Sequence, residues 1–538
     1  MEALTADRSL VSPRLREAAA LMDRGQFGPA ARVLDDLLKG HPTDVSGLFL
    51  KAEIATRNGH YAEAEPLLAR CVELDPEFNA ARFHFANAML ETGKPQCALA
   101  QADELLKREP RNPVFLALKA MALELLDEYA ASTSLWQEVV QTSAPPDCWV
   151  RYAHALRGLG RRDESIAAYR KALELDPSFG RAYWGLANLK MFRFSEANIA
   201  QMEAQIARSE LPPENRTPLL FSLGKAYADL KLYEKSFSSY ARGNAIHRLG
   251  ITHDPEIMTA YVARCRRIFT TEFFHARAGR GSDNRAPIFL VGMLRSGSTL
   301  VEQILASHSH IEGTRELFNL AAISRHIQTE ISSGEANYPA VLEKIDGPTL
   351  KRFGEQYLET VRVHRKLGRP FFTDKMGSNF AHLGLLNLIL PNAKIIDVRR
   401  HPLACCFSNF TQLFANGQNN TYRLADIGQL YRDYVALMAH FDRVLPGRVH
   451  RVFYEQLVAN PEAEIRRLLD YLELPFEQGC LEFYKNDRAV STISSEQVRS
   501  PLYKEALEHW RHYESWLGPL KSALGPVLDA YPDVPAFD

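Results

Sequence analysis

Gly292 and Gly297 lie five residues apart, bracket Arg295 and Ser296, and run directly into Ser298 and Thr299. A glycine turn that feeds a helix presents backbone N–H groups and the positive helix end to an anion, most often a phosphate. The spacing is that of a P-loop, but Ser298 stands where a nucleoside triphosphatase carries lysine, so the cation is supplied from inside the loop by Arg295. A second grip lies downstream, where Arg400 and Ser408 are eight residues apart. Guanidinium geometry and a hydroxyl donor suit another phosphate. Between the two grips, FFTDKMGSN (371–379) ends an apolar run in Asp374 and Lys375.

Strands and helices must hold these groups. PIFLVGM (287–293) is a short apolar run bounded by turn residues, which predicts a buried parallel strand, and TLVEQILASHS after it predicts an amphipathic helix. AKIIDVRRHPLACCFSNF (393–410) opens as another buried strand, placing Arg400 near its end and Ser408 on the helix that follows. VFYEQLVANP (452–461) reads as a strand ending in Tyr454 and Glu455. Glycine, serine, aspartate, asparagine and proline crowd RAGRGSDNRAP, which sets a linker at 277–286 between a helical domain (1–276) and an α/β domain (287–538).

The helical half repeats itself. Gly25, Gly59 and Gly93 recur at one constant interval, and Ala30, Ala64 and Ala98 keep the same step, as do Pro42, Pro76 and Pro110. Gly160 with Leu175-Asp176-Pro177 continues the pattern, and Tyr233 and Ser236 take the places of Tyr61 and Ala64 in a last copy. Glycine caps one helix, a small residue lets two helices approach, and proline stops the second, the pattern and period of the tetratricopeptide repeat (TPR). Roughly seven units over 13–250 predict an all-α solenoid. A groove for a peptide or partner protein and a plain spacer or self-association surface both fit it.

Composition narrows the partners. A formal net charge of −1 supplies no global field toward nucleic acid or an anionic membrane, so anions must be held by local cations. Seven cysteines without a C-x-x-C pair suit a reducing compartment and give neither a zinc site nor a disulfide framework. No apolar run is long enough to span a membrane, and the first residues lack a signal-peptide core. The expectation is a soluble, cytoplasmic protein that needs no metal.

G-x-x-R-S-G-S-T followed by V-R-R-H-P-L-A-C-C-F-S resembles the two phosphate-binding motifs of sulfotransferases that use PAPS (3′-phosphoadenosine 5′-phosphosulfate). The nearest resemblance is to bacterial TPR sulfotransferases, whose catalytic domain is similar to the tyrosylprotein sulfotransferases. It covers roughly 285–525, and it implies a P-loop-like α/β domain with a central parallel sheet after the TPR solenoid. The resemblance assigns Arg295, Ser296, Gly297, Ser298 and Thr299 to the donor's 5′-phosphosulfate, and Arg400 and Ser408 to its 3′-phosphate. Leu294 and Ser298 replace the usual proline and threonine. Arg399 is a weaker candidate.

The family's G-x-x-E-L pattern matches Gly313 to Leu317 and implies Glu316 as general base, although a helix-start carboxylate reads the same way. Glu312 reads as a solvated surface charge. Lys375 and Arg295 are implied to stabilise charge in the transition state, with Met376-Gly377 in place of Met-Pro. Tyr454 matches a tyrosine near the nucleotide and equally reads as core. Ser495, Gln497, Val498 and Arg499 fall on the loop that closes over the donor, and the lysine before Trp510 is here His509, with Arg511 after it.

The reaction implied is sulfuryl transfer from PAPS to a hydroxyl, leaving adenosine 3′,5′-bisphosphate. A protein or peptide tyrosine recruited by the TPR groove is the expected acceptor, and a sugar hydroxyl the alternative; a homodimer is compatible with either. A P-loop kinase or nucleoside triphosphatase, with Asp397 as its metal-binding acid, and a non-catalytic TPR scaffold are the rivals.

Overall fold

The computed structural model describes residues 12–189, 191–331, 338–415, 417–486, 488, 497–501 and 507–537. They pack as two compact units, 1–175 and 176–538.

The first unit consists of consecutive helix pairs from Pro13–Asp23 to Arg162–Leu175. The chain turns between paired helices through a left-handed residue: Gly25, Gly59, Gly93 and Gly160 have φ of 72°, 76°, 76° and 74°. At Gly25, Gly59 and Gly93 a side chain would meet open space but would strain the backbone. Asp127, one repeat interval after Gly93, takes the same conformation at φ 64°, one of the few side chains that tolerate it. The small residues of the repeat, Ala30, Ala64 and Ala98, are fully buried where two helices touch. Later copies use serine: Ser132 donates to Glu124 Oε1 (3.1 Å) and Ser165 to Ala153 O (2.8 Å), so each hydroxyl is satisfied on the preceding helix.

The second unit opens with more helices of the same kind, among them α1 (Gly180–Asn188), α2 (Pro213–Asp229) and α3 (Tyr233–Leu249). Ser236 repeats the serine device on Gly224 O (2.7 Å), and a Cβ on Gly224 would lie 2.7 Å from the Tyr240 ring, so the two helices meet at van der Waals distance. Five parallel strands follow: β1 (Pro287–Val291), β2 (Ile311–Glu312), β3 (Phe371–Asp374), β4 (Lys394–Arg399) and β5 (Val449–Phe453), in the order β2-β3-β1-β4-β5. Every residue of β1 is buried, as a central parallel strand covered on both faces must be. Helices α4 (Ser298–Ala306), α5 (Pro402–Phe410) and α6 (Leu424–Val444) cover the sheet.

The last helices before the sheet share its core. Phe221 and Tyr240 belong to the same apolar cluster as Phe289, Leu386 and Phe407. Phe269 is fully buried, and a Cβ on Gly384 would lie 2.2 Å from its ring. Asn244 donates to Phe410 O (2.9 Å) and Trp184 to Leu413 O (3.2 Å), tying α3 and α1 to the end of α5. The segment 277–286 therefore lies inside this unit. It stays the proposed point where repeat-like sequence gives way to the α/β domain.

Candidate functional site

The candidate residues converge at one edge of the sheet because four strands deliver them there. Gly292 follows the last residue of β1, Lys375 that of β3, Arg400 that of β4 and Tyr454 that of β5. The chain leaves β1 toward β2 and β3 on one side, while β4 and β5 lie on the other, and ligands of parallel sheets bind at such a switch point.

The loop after β1 is held in a form that most residues avoid. Gly292 has φ 136°, Arg295 φ 65° and Gly297 φ 104°. A Cβ on Gly297 would lie 2.5 Å from the Tyr454 ring, so this position needs glycine for both space and conformation. Gly292 N–H donates to Gly377 O (3.0 Å), and a Cβ on Gly377 would lie 2.7 Å from Gly292 O. The Met376-Gly377 pair thus lets the turn after β3 close against the loop after β1.

Across the loop, Arg295 Nε donates to Ser408 Oγ (3.0 Å), and Arg400 Nη1 donates to Arg295 O (3.3 Å). The Arg400 guanidinium lies 4.9 Å from the centre of the Tyr454 ring, and burial pushes that phenol up. Tyr454 is therefore both core-packed and at the site. Ser296 is 1% exposed and its Oγ has no hydrogen-bond partner among the described residues. An unsatisfied buried hydroxyl in a glycine turn is a fit for an anionic ligand.

A cavity of about 410 Å³ opens on these groups. Arg295, Gly297, Ser298, Thr299, Arg400, Ser408, Tyr454 and Val498 line it, together with His509 and Trp510. Its far wall has no signal in the sequence: Trp184, Lys225 and Asp229 come from helices assigned to the solenoid, and Arg193 from the connection that follows the first of them. A repeat pattern identifies which positions pack between helices and carries no sign of which exposed ones face another element. Among the described lining residues stand four cations, Arg193, Lys225, Arg295 and Arg400, against one carboxylate, Asp229.

Glu316 and Lys375 form a separate pair. Lys375, 2% exposed, donates from Nζ to Glu316 Oε1 (2.8 Å), while the glutamate side chain is 45% exposed. Asp374 beside it is buried, accepts from Tyr357 Oη (2.8 Å) and from Met376 N–H (3.1 Å), and burial raises its carboxyl to about 7.

Three neighbouring charges serve the fold. Glu312 is not a solvated surface charge: it lies on β2, is 2% exposed and accepts from the Leu367 N–H, because pairing with β3 carries it inward. Arg399 is buried against Asp397 (2.9 Å). Burial alone would raise the Asp397 carboxyl, but Arg399, Arg451 (2.9 Å) and the Tyr434 hydroxyl hold it down. An acid so enclosed has no free oxygen for a metal-bound nucleotide. Arg499 donates to Arg488 O (3.3 Å), and Arg511 lies 4.8 Å from the Trp510 ring centre. Gln497 begins a short turn, Gln497–Arg499, its side chain outside the described residues, and Ser495 lies wholly outside them. No group of three or more His, Cys, Asp or Glu residues among those described could hold a metal ion, and no helix among them is long and apolar enough to cross a membrane.

The sulfotransferase family model matches residues 287–478, which run from β1 past β5 and hold the loops after β1, β3, β4 and β5. Tetratricopeptide-repeat models match 15–77, 55–122 and 146–179. The matches show tetratricopeptide repeats followed by a sulfotransferase-family domain. An uncharacterized protein of Aquifex aeolicus is 31% identical over 394 residues, covering 71% of this chain and 51% of that protein. The Drosophila melanogaster protein-tyrosine sulfotransferase is 25% identical over 240 residues, 41% of this chain and 46% of its own. This chain thus spans about half the length of both relatives. The sulfotransferase domain of the Synechococcus PCC 7002 olefin synthase is 22% identical, with a TM-score of 0.33, covering 44% of this chain and 90% of that domain.

Proposed function

We propose that this chain transfers a sulfuryl group from PAPS to an acceptor hydroxyl, with a protein or peptide tyrosine as acceptor. The observation that carries the reading is the meeting of Arg295, Ser408 and Arg400 at one cavity, with the buried Ser296 hydroxyl in the loop. Two adjoining anion grips suit a donor that carries both a 5′-phosphosulfate and a 3′-phosphate. A nucleoside triphosphate would leave the second one idle.

PAPS supplies the activated sulfuryl group and leaves as adenosine 3′,5′-bisphosphate. Ser296, Gly297, Ser298, Thr299 and Arg295 would hold its 5′ end and Arg400 and Ser408 its 3′-phosphate, while Tyr454 and Val498 bound the same space. In this reading Glu316 takes the acceptor's hydroxyl proton as the new O–S bond forms. Its exposure makes it accessible to a large acceptor, and the bond from Lys375 fixes where its carboxylate sits. Lys375 and Arg295 offset charge on the sulfuryl oxygens and the departing phosphate, a task suited to cations fixed beforehand. The TPR units of 13–175 would recruit the acceptor, a role that fits repeats stacking into an extended binding surface. The relationship to a protein-tyrosine sulfotransferase supports tyrosine over a sugar.

The test combines calorimetry and labelled sulfate. Tight binding of adenosine 3′,5′-bisphosphate without magnesium, and label from PAPS appearing on tyrosine-containing peptides, are expected. Preference for Mg-ATP would overturn the donor, and label confined to glycans would overturn the acceptor.

A further inference from the structure

We infer that the repeat segment before the sheet forms part of the nucleotide site: Lys225 on α2 and Arg193 on the connection after α1 supply the cationic wall for the donor's 3′-phosphate. This deepens the proposed function and rests on its assignment of Ser408 to that phosphate.

Helix α5 connects the two parts. Ala404, Phe407, Ser408 and Thr411 recur at the helical spacing and line the cavity as one face. The Arg295 bond to Ser408 joins this face to the loop after β1. Beyond Ser408 the end of α5 leans on α1 and α3, through Trp184 on Leu413 O and Asn244 on Phe410 O. A phosphate held at Ser408 therefore has the repeat helices on its outer side.

Charge agrees with position. Lys225 on α2 donates to Asp229 Oδ2 (2.5 Å) and to Phe192 O, and Arg193 lies 3.5 Å from the other Asp229 oxygen. One carboxylate thus holds both cations in place at the cavity wall. The Lys225 side chain is 12% exposed, so its order and its low-dielectric surroundings strengthen attraction to a phosphate. The resemblance to sulfotransferases calls for a lysine before Trp510, where this chain has His509; the repeat supplies an ammonium from another part of the chain.

Calorimetry on the full chain with adenosine 3′,5′-bisphosphate and with adenosine 5′-monophosphate tests this directly. Lys225→Met, which keeps the buried stem, and the more exposed Arg193→Gln should each weaken bisphosphate binding by roughly tenfold or more. Binding of the monophosphate, which lacks the 3′ group, should not change, and Lys225→Arg should restore much of the loss. Unchanged bisphosphate affinity in both variants overturns the inference, as does an equal loss for both nucleotides. If the wild-type chain binds the monophosphate but not the bisphosphate, the reading of the donor fails first and takes this inference with it.

Discussion

Arg295 and Ser408 share a hydrogen bond of 3.0 Å, although 113 residues separate them. The bond couples the turn after β1 to the helix after β4, so the two proposed anion grips are one structure. Ser408→Ala should therefore disturb both ends of the donor site. We expect adenosine 3′,5′-bisphosphate to bind roughly tenfold more weakly, and Arg295→Lys to lower kcat/KM about a hundredfold because an ammonium cannot reproduce the fork. Full activity in Arg295→Lys would remove the arginine from the mechanism.

Glu316→Gln separates proton transfer from donor binding. The amide keeps the shape and can still meet Lys375, but it accepts no proton. Single-turnover transfer of labelled sulfate should slow by roughly 10²–10⁴-fold, while bisphosphate affinity stays within about twofold of wild type. A variant that transfers at the wild-type rate would return Glu316 to the role of a surface ion pair.

Gly297→Ala tests the loop. The added methyl group would sit 2.5 Å from the Tyr454 ring at a φ of 104°, two penalties at once. About 1–3 kcal/mol of strain is expected, visible as a lower thermal midpoint, together with loss of nucleotide binding. An unchanged midpoint would mean that the loop relaxes freely.

Asp374 gives a pH signature. Burial raises its folded carboxyl to about 7, whereas the unfolded group titrates near about 3.9. The folded protein holds the proton more tightly, so this contribution to stability is complete below the unfolded value and is lost as pH rises toward 7. The slope is about 1.4 kcal/mol per pH unit within that window. Asp374→Asn should flatten it. Denaturant titrations at pH 5, 6, 7 and 8 compare the two chains; parallel profiles would show that Asp374 is ionised throughout.

The sheet and the meeting of its loop residues are legible in the sequence because their signals are local: apolar runs of strand length end in glycine, arginine or tyrosine. Repeat units are visible wherever glycine holds the left-handed turn. Asp127 and Lys231, at φ 64° and 60°, hold equivalent turns with side chains, and a search for glycine passes over them. Glu312 reads wrongly because a carboxylate on a two-residue edge strand looks exposed until its pairing is known. Lys225 and Arg193 are invisible as site residues for a different reason. Lys225 lies on a helix read as part of the repeats and Arg193 on a connection between two such helices, and nothing in a repeat pattern says that a sheet lies across from them.

Phe269 fixes how this unit can be inherited. Its ring fills the space that Gly384 leaves open, although it comes before β1 in the chain. A chain begun at the first strand would lack that ring, and a vacancy of this size costs on the order of 3–5 kcal/mol. A segment that keeps this core must therefore begin before Phe269, and one that also keeps the Trp184 bond to Leu413 O must begin before Trp184. The helices from Trp184 onward belong to the sheet's folding unit, whatever their sequence period suggests.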